Sequence, residues 1–154
     1  MNSLRRHLLK GATAAGSIAL TAGLLGSSNA FAGFSPTAFS AKTLADALKG
    51  MDATAAIDSP EIIIKAPEIA ENGAVVPVEI TSNIANTVSI SILAEKNPNP
   101  LLAHFDFTNG ALPFVATRIK MAQTAMVRAI VTTADGTNYT AAKQVKVTIG
   151  GCGG

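Results

Sequence analysis

Residues 76–81 read Val-Pro-Val-Glu-Ile-Thr and residues 88–92 read Val-Ser-Ile-Ser-Ile, so apolar and polar side chains alternate in both. The same two-residue period returns in residues 127–132 and 145–149. Successive side chains of a strand point to opposite faces of its sheet, so this period predicts strands with one buried face. The positions expected to face the core are Val76, Val78, Ile80, Val88, Ile90, Ile92, Val127, Ala129, Val131, Val145, Val147 and Ile149.

Turn residues separate these strands at short intervals. Asn72-Gly73, Asn109-Gly110 and Asp135-Gly136 are pairs that supply the positive φ of tight hairpins. Short alternating strands with frequent turns favour an all-β fold, an antiparallel β-sandwich of immunoglobulin-like type. Antibody domains carry a cysteine pair and a tryptophan that this chain lacks, so the likeness is one of architecture. Pro77 cannot donate to a sheet ladder and predicts an edge or a bulge in its strand.

One short helix is expected before the strands. Leu44, Leu48 and Met51 lie at i, i+4 and i+7, which places them on one helical stripe. Gly50 is positioned to end that helix. Residues 34–40 are mostly small or polar and are expected to lead into it.

The first 32 residues are typical of a bacterial export signal. Arg5 and Arg6 form the paired arginine of the twin-arginine type, and an Ala- and Gly-rich apolar stretch follows. That stretch is less apolar and shorter than a membrane span, and residues 30–32, Ala-Phe-Ala, fit a signal peptidase site. We therefore expect cleavage near Ala32, a periplasmic location and no membrane anchor in the mature chain. The alternative is an uncleaved N-terminal anchor.

The charge of the mature chain excludes some binding partners. Removal of residues 1–32 would leave one domain of 122 residues with nine basic and ten acidic side chains. A chain so near neutrality, with no basic run after Lys10, has no electrostatic reason to bind nucleic acid or an anionic membrane.

The side chains before residue 150 offer little for catalysis or metal binding. His104 and Asp106 would share one face of a strand, and a histidine–carboxylate pair can serve acid–base chemistry. No serine-nucleophile motif accompanies them, so a solvated strand face is the simpler interpretation. One histidine and one distant cysteine do not make a zinc site, and no glycine loop precedes a helix. We expect neither a metal nor a cofactor in this chain.

The glycine-rich end of the sequence holds the chain's single cysteine. Residues 150–154 are Gly150, Gly151, Cys152, Gly153 and Gly154, directly after the predicted strand that ends at Ile149. Glycines allow wide backbone freedom and add no bulk, so the segment is expected to be a thin, flexible arm. Extended, it would carry Cys152 about 10 Å beyond Ile149. A lone cysteine there has no internal disulfide partner, which predicts a thiol kept for reactivity, as a covalent attachment site for substrate.

Two other interpretations remain open. An exported β-sandwich binding or adhesion module could carry Cys152 incidentally, and its function would survive deletion of residues 150–154. An enzyme using His104 and Asp106 would turn over a substrate without any partner. For a carrier, by contrast, the thiol needs no fixed base of its own, because the visited site supplies activation.

At this end the sequence resembles the SoxY family, the sulfur carriers of the bacterial Sox thiosulfate-oxidising system. The resemblance rests on Gly150–Gly154, on residues 143–149 and 117–124, and on Glu95-Lys96-Asn97-Pro98. It implies a carrier without enzymatic activity that forms a heterodimer with SoxZ. It also implies that SoxAX joins thiosulfate to Cys152, that SoxB releases sulfate and that SoxCD oxidises the remaining sulfur, with every cofactor held by these transient partners.

Overall fold

The computed structural model describes residues 36–149. The export signal predicted for residues 1–32 and the arm predicted for residues 150–154 lie outside these residues, so both stay predictions. Within the described range the protein is all-β apart from two short helices, as the alternating segments predict.

The two helices precede all strands. They are α1 (Pro36–Ser40) and α2 (Leu44–Gly50). The strands are β1 (Ile57–Asp58), β2 (Ile62–Lys65), β3 (Ile69–Ala70), β4 (Val76–Ser82), β5 (Thr87–Ala94), β6 (Leu101–Asp106), β7 (Phe114–Ile119), β8 (Ala125–Thr133) and β9 (Asn138–Val147). The expectation of a single helix is therefore wrong, because residues 36–40 form a turn of helix of their own.

The strands form a β-sandwich of two sheets. The larger sheet has the order β1-β9-β8-β5-β6, with β3 also paired to β9, and the smaller has the order β2-β4-β7. All pairings among the longer strands are antiparallel, whereas the two-residue strands β1 and β3 pair with β9 in parallel. The chain crosses between the sheets after every strand except β5 and β8, so only β5–β6 and β8–β9 are neighbours both in sequence and in a sheet.

The main core fills the space between the two sheets. Ile80 of the small sheet and Ile92, Val131 and Val145 of the large sheet are fully buried in it. Inward positions of β4 and β8 follow the predicted alternation, with Val76, Val78, Ile80, Val127, Ala129 and Val131 all buried. Ile149 differs, since it is 68% exposed beyond the end of β9.

A second, smaller core covers the outer face of the large sheet. The helices place Ala38 and Ala47 against Leu93, Leu101 and Ile130. Leu44, Leu48 and Met51 pack against the same cluster, which confirms the predicted helical stripe. No helix within residues 36–149 has the length and apolar character to cross a membrane.

The ends of α2 are fixed by specific contacts. The Thr43 hydroxyl accepts a hydrogen bond from the Asp46 amide at 3.1 Å and so caps the N-terminus. Gly50 ends α2 as predicted, and it also allows α1 to pack closely against α2. A Cβ on Gly50 would lie 3.0 Å from the Cα and Cβ of Ala38, so only glycine lets α1 approach this closely.

Strand β5 departs from the expected alternation. Val88 is exposed, whereas Ser89 and Ser91 are buried. The pairing with β8 shifts between Thr87 and Ser89, so Val88 is an extra residue in a bulge and turns out of the core. Strand β5 lies between β8 and β6, and the His104 side chain of β6 lies 2.7 Å from the Ser91 hydroxyl.

The three predicted turns have different outcomes. Asp135-Gly136 closes the β8–β9 hairpin, and Gly136 has φ +83°. Asn109 and Gly110 also have positive φ, but they lie in a connection between the two sheets and not in a hairpin. The prediction of positive φ at Asn72-Gly73 is wrong, because neither residue has it. The Asn72 side chain instead accepts a hydrogen bond from the Ala74 amide, and this bond stabilises the turn.

Pro77 lies on the exposed side of β4, the central strand of the small sheet. The pairing of β4 with β2 extends only from Glu79 to Ser82. At Pro77 the strand is thus locally an edge, which agrees with the expectation from the missing N–H.

Candidate functional site

The described chain ends at Ile149, three residues before Cys152. Cys152 and the four glycines of the predicted arm, like Arg5 and Arg6, lie outside the described residues. The structure does describe the surface from which residues 150–154 continue. We call it the arm base, formed by residues 68–73, 95–98, 120–124 and 146–149.

Hydrogen bonds on one side hold the last residues of this strand in place. The Lys146 amide donates to the Glu68 carbonyl at 2.9 Å, and the Thr148 amide donates to the Ala70 carbonyl at 3.1 Å. The Ile149 carbonyl accepts from the Gly73 amide at 2.8 Å. The backbone is therefore tied to the fold up to the last described residue.

The loop between β7 and β8 supports the other side of the arm base. The Met121 amide donates to the Gly73 carbonyl at 2.7 Å. The Thr124 hydroxyl accepts from the Val147 amide at 2.9 Å, and the Met121 side chain is fully buried. One loop thus contacts both Gly73 and the final residues of β9.

Asn97 connects this loop to the β5–β6 turn. Its side chain is buried, donates to the Lys120 carbonyl at 2.7 Å and accepts from the Ala122 amide at 2.8 Å. Asn97 belongs to the Glu95–Pro98 stretch, and Lys120 and Ala122 belong to residues 117–124, two segments noted in the sequence. The structure brings them together at the arm base, a contact that their sequence separation does not reveal.

Partly exposed charges surround the arm base. Lys96, Lys120 and Lys146 are exposed, as are Glu68 and Glu71. Arg128 forms a half-buried ion pair with Glu95, with Nη2 and Oε1 2.8 Å apart. Beside β9, a cleft of about 330 Å³ is lined by Glu68, Ile69, Lys143, Gln144 and Lys146.

His104 and Asp106 lie on one face of β6, as predicted, and their side chains also contact each other. His104 Nε2 lies 3.1 Å from Asp106 Oδ1, and His104 Nδ1 lies 2.7 Å from the Ser91 hydroxyl on the neighbouring strand. No local pattern indicates Ser91, because the β5–β6 register decides which serine faces the histidine. Ser91 is only 4% exposed, so this serine lacks the access that a nucleophile needs. His104 therefore gives the buried Ser91 hydroxyl its hydrogen-bond partner.

The aromatic side chains divide between core and surface. Phe105 and Phe107 are partly buried against the main core, while Phe114 is 49% exposed on the small sheet. In the part of the chain that the structure covers, no three His, Cys, Asp or Glu side chains converge as metal ligands would.

Comparisons with known proteins bear on this region. A family model described as sulfur oxidation protein SoxY matches residues 47–152. The structure is similar to the sulfur carrier protein SoxY from Chlorobium limicola f thiosulfatophilum, with 41% identity, a TM-score of 0.62 and coverage of 70% of this chain and 97% of that one. No curated protein matches the sequence significantly.

Weaker likenesses involve superoxide reductases. The superoxide reductase (neelaredoxin) from Ignicoccus hospitalis is 24% identical with a TM-score of 0.47, covering 56% of this chain and 79% of that one. A putative superoxide reductase from Thermotoga maritima is 17% identical with a TM-score of 0.48, covering 56% of this chain and 84% of that one. Likenesses at this level say nothing about what this chain does.

Proposed function

This chain belongs to the SoxY family, and from that membership we propose that it carries thiosulfate-derived sulfur covalently on Cys152 and presents it to partner enzymes. The family match carries the proposal, because it runs through residue 152 and thus includes the only cysteine of the sequence. The related chain from Chlorobium is itself a sulfur carrier.

The contacts at the arm base support a fixed strand from which a thin arm extends. The backbone is hydrogen-bonded up to the Ile149 carbonyl, and the next residues carry no side chain except at Cys152. We propose that Gly150–Gly154 form a flexible arm that reaches about 10 Å into a narrow enzyme pocket. Bulkier residues in the arm would then obstruct entry without touching the core.

The proposed chemistry begins with loading of the thiol. Cys152 loses its proton and its sulfur bonds to the outer sulfur of thiosulfate, giving Cys–S–S–SO₃⁻, while two electrons pass to the partner cytochrome SoxAX. SoxB then adds water and breaks the bond between the two thiosulfate-derived sulfurs. Sulfate and two protons leave, and the persulfide Cys–S–S⁻ remains. SoxCD would oxidise that sulfur, with oxygen taken from water, protons released and the electrons passed to the redox cofactors that SoxCD holds.

We further propose that the chain is exported by the twin-arginine route through Arg5 and Arg6, is cleaved near Ala32 and works in the periplasm with SoxZ. The paired arginines and the signal-peptidase pattern predicted from the sequence support this location, and family membership supports the heterodimer. Haem and metals belong to the partner enzymes in this scheme, and the chain itself acts without catalysis.

Intact mass spectrometry of protein from thiosulfate-grown cells tests the carrier function. We expect added mass corresponding to sulfur-containing groups, and we expect Cys152→Ser to abolish it while the fold persists. Adducts that survive this substitution would show that the cargo is elsewhere. An adhesion or binding module would instead keep its function after deletion of residues 150–154.

Valine substitutions in the arm test its proposed thinness. Gly151→Val or Gly153→Val should slow loading and processing by the partner enzymes, with the melting temperature unchanged. Equal turnover of these variants by every partner would contradict a narrow entry pocket.

A further inference from the structure

The last described residues are held by hydrogen bonds more than by packing. Ile149 lies beyond the end of β9 and is 68% exposed, so its side chain adds little packing. The Ile149 carbonyl accepts from the Gly73 amide at 2.8 Å, and the Thr148 hydroxyl donates to the Glu71 carbonyl at 2.9 Å. The point from which the arm continues is therefore set by the position of residues 71–73.

The loop of residues 120–124 contacts both that segment and β9. The Met121 amide donates to the Gly73 carbonyl at 2.7 Å, and the Met121 side chain is buried in the main core. Thr124 of the same loop accepts from the Val147 amide at 2.9 Å. The start of the arm thus depends on this loop twice.

Asn97 holds the loop in turn. The loop joins β7 to β8 without a strand partner, so its buried backbone groups need other partners. The Asn97 side chain, which is 7% exposed, donates to the Lys120 carbonyl at 2.7 Å and accepts from the Ala122 amide at 2.8 Å. These two groups flank Met121, so Asn97 fixes the loop backbone on both sides of it.

The contacts form one connected path from Asn97 through Met121 and Gly73 to Ile149. Coupling between separated groups can travel through such a network. Because the Ile149 side chain is exposed, it does not oppose a shift at the end of the path.

Position matters for an arm of fixed length. Cys152 would reach only about 10 Å beyond Ile149, so a displaced arm base takes reach away from the thiol. A mobile arm base also spreads the thiol over a larger volume and lowers its effective concentration in an enzyme pocket. Misplacement of a reacting group by about 1 Å can cost about 10²-fold in rate.

We propose that Asn97 is a positioning residue of the carrier, which fixes the point from which the arm presents Cys152 to partner enzymes. The inference rests on the proposed carrier function. Asn97 acts through the 120–124 loop and Gly73, and takes no part in the chemistry at sulfur.

Asn97→Ala tests this in the chain co-expressed with SoxZ. SoxAX loads thiosulfate, oxidised cytochrome c takes up the electrons, and intact mass follows the loaded fraction. We expect loading to be about ten-fold slower than in the wild type. Alkylation of Cys152 by iodoacetamide, which needs only an exposed thiol, should be unchanged. Insertion of two glycines after Gly150 should restore loading of Asn97→Ala to within about two-fold of the wild-type chain with the same insertion, because the longer arm replaces the lost reach.

Asn99→Ala is the matched control. Asn99 belongs to the same turn, but its side chain donates to the Phe39 and Ala41 carbonyls at 3.1 and 3.4 Å, next to the helices. This variant should lose stability without slower loading and should gain nothing from the insertion. Asn97→Asp keeps the acceptor and the volume while it removes the donor to Lys120, so it gives a second test, with a smaller effect, if Asn97→Ala does not fold.

Wild-type loading rates in both Asn97 variants would overturn the proposal. A slowdown that the insertion does not relieve, or that Asn99→Ala shares, would also overturn it, because Asn97 would then only stabilise the fold. A wild-type chain that SoxAX does not load would instead contradict the carrier function, and this inference with it.

Discussion

The two faces of the large sheet are built on different principles. The inner face packs on the second sheet through β-branched side chains such as Ile90, Ile92 and Val131. The outer face is divided. Two short helices cover Leu93, Leu101 and Ile130. Elsewhere on this face, Ser91 is buried beneath His104, and Asp106 is exposed to solvent.

This difference in covering predicts that equivalent substitutions on the two faces lower the stability of the fold by different amounts. Removing an inner residue opens a cavity between two sheets that cannot close, whereas the outer face is covered by small elements that can shift. The following substitutions compare the two faces, beginning with the one expected to cost most.

Ile92→Ala should have the largest effect. Ile92 is fully buried in the main core between the sheets, so its loss removes apolar contacts and leaves a cavity. We expect the free energy of unfolding to fall by about 4 kcal/mol. Urea denaturation of the variant checks this. Ile63→Ala, at a 43% exposed strand position, is the matched control and should cost less than about 1 kcal/mol.

Ile130→Ala tests the outer face with the same chemical change. Ile130 is 2% exposed and packs under the helices with Leu93 and Leu101. We expect a loss of about 2 to 3 kcal/mol, since the short helices can settle into the space. Hydrogen exchange should show faster opening of α1 and α2 only. A cost equal to that of Ile92→Ala would mean that the helices are as rigid as a second sheet.

Gly50→Ala tests the helix pair without touching the sheet. The added methyl group would meet the backbone of Ala38 at 3.0 Å, so α1 must move. We expect a loss of about 1 to 2 kcal/mol in urea denaturation, although alanine is the better helix former. An increase in stability would show that α1 yields freely and that Gly50 serves only to end α2.

These two faces also explain how much the sequence could predict. The inward positions of both sheets follow from a period of two, so the sequence correctly predicts the burial of Val76, Val78 and Ile80 in the small sheet and of Val131 in the large sheet. The burial of the outer face cannot be predicted in this way. Ile130 is buried by helices that lie far from it in sequence, and Ser91 is buried because the register of β5 and β6 places it beside His104. The bulge at Val88 is likewise set by pairing with β8.

The candidate site divides in a similar way. Cys152 and its glycines are readable from sequence as a candidate attachment site, since their chemistry and composition are local. Asn97, Gly73 and Thr124 form the arm base through contacts between separate loops, which no local pattern indicates. The cleft beside Lys143 and Lys146 depends on which residues of β9 are left unpaired.

Ser91→Ala should have a smaller effect than the apolar substitutions. It removes the hydrogen bond to His104 from a buried position, and we expect a loss of about 1 kcal/mol in urea denaturation. Sulfur loading on Cys152 should be unchanged, as measured by intact mass. Lost loading in a folded Ser91→Ala variant would revive a catalytic interpretation of the Ser91–His104–Asp106 chain.

The smallest effect should come from Asp135, in the turn that joins β8 to β9. Hydrogen bonds from the Thr133 hydroxyl and the Thr137 amide lower the pKa of Asp135 below its usual value of 3.8. The unfolded chain thus binds this proton more readily than the folded chain. The contribution is present above about pH 4 and is lost as the pH falls through the folded value. Asp135→Asn lacks this titration, so its stability difference from the wild type should stay constant from about pH 7 to 5 and change only in acid. If the stability difference between Asp135→Asn and the wild type changed between about pH 7 and 5, another titrating group would be responsible, and the charge of Asp135 would not account for the pH dependence.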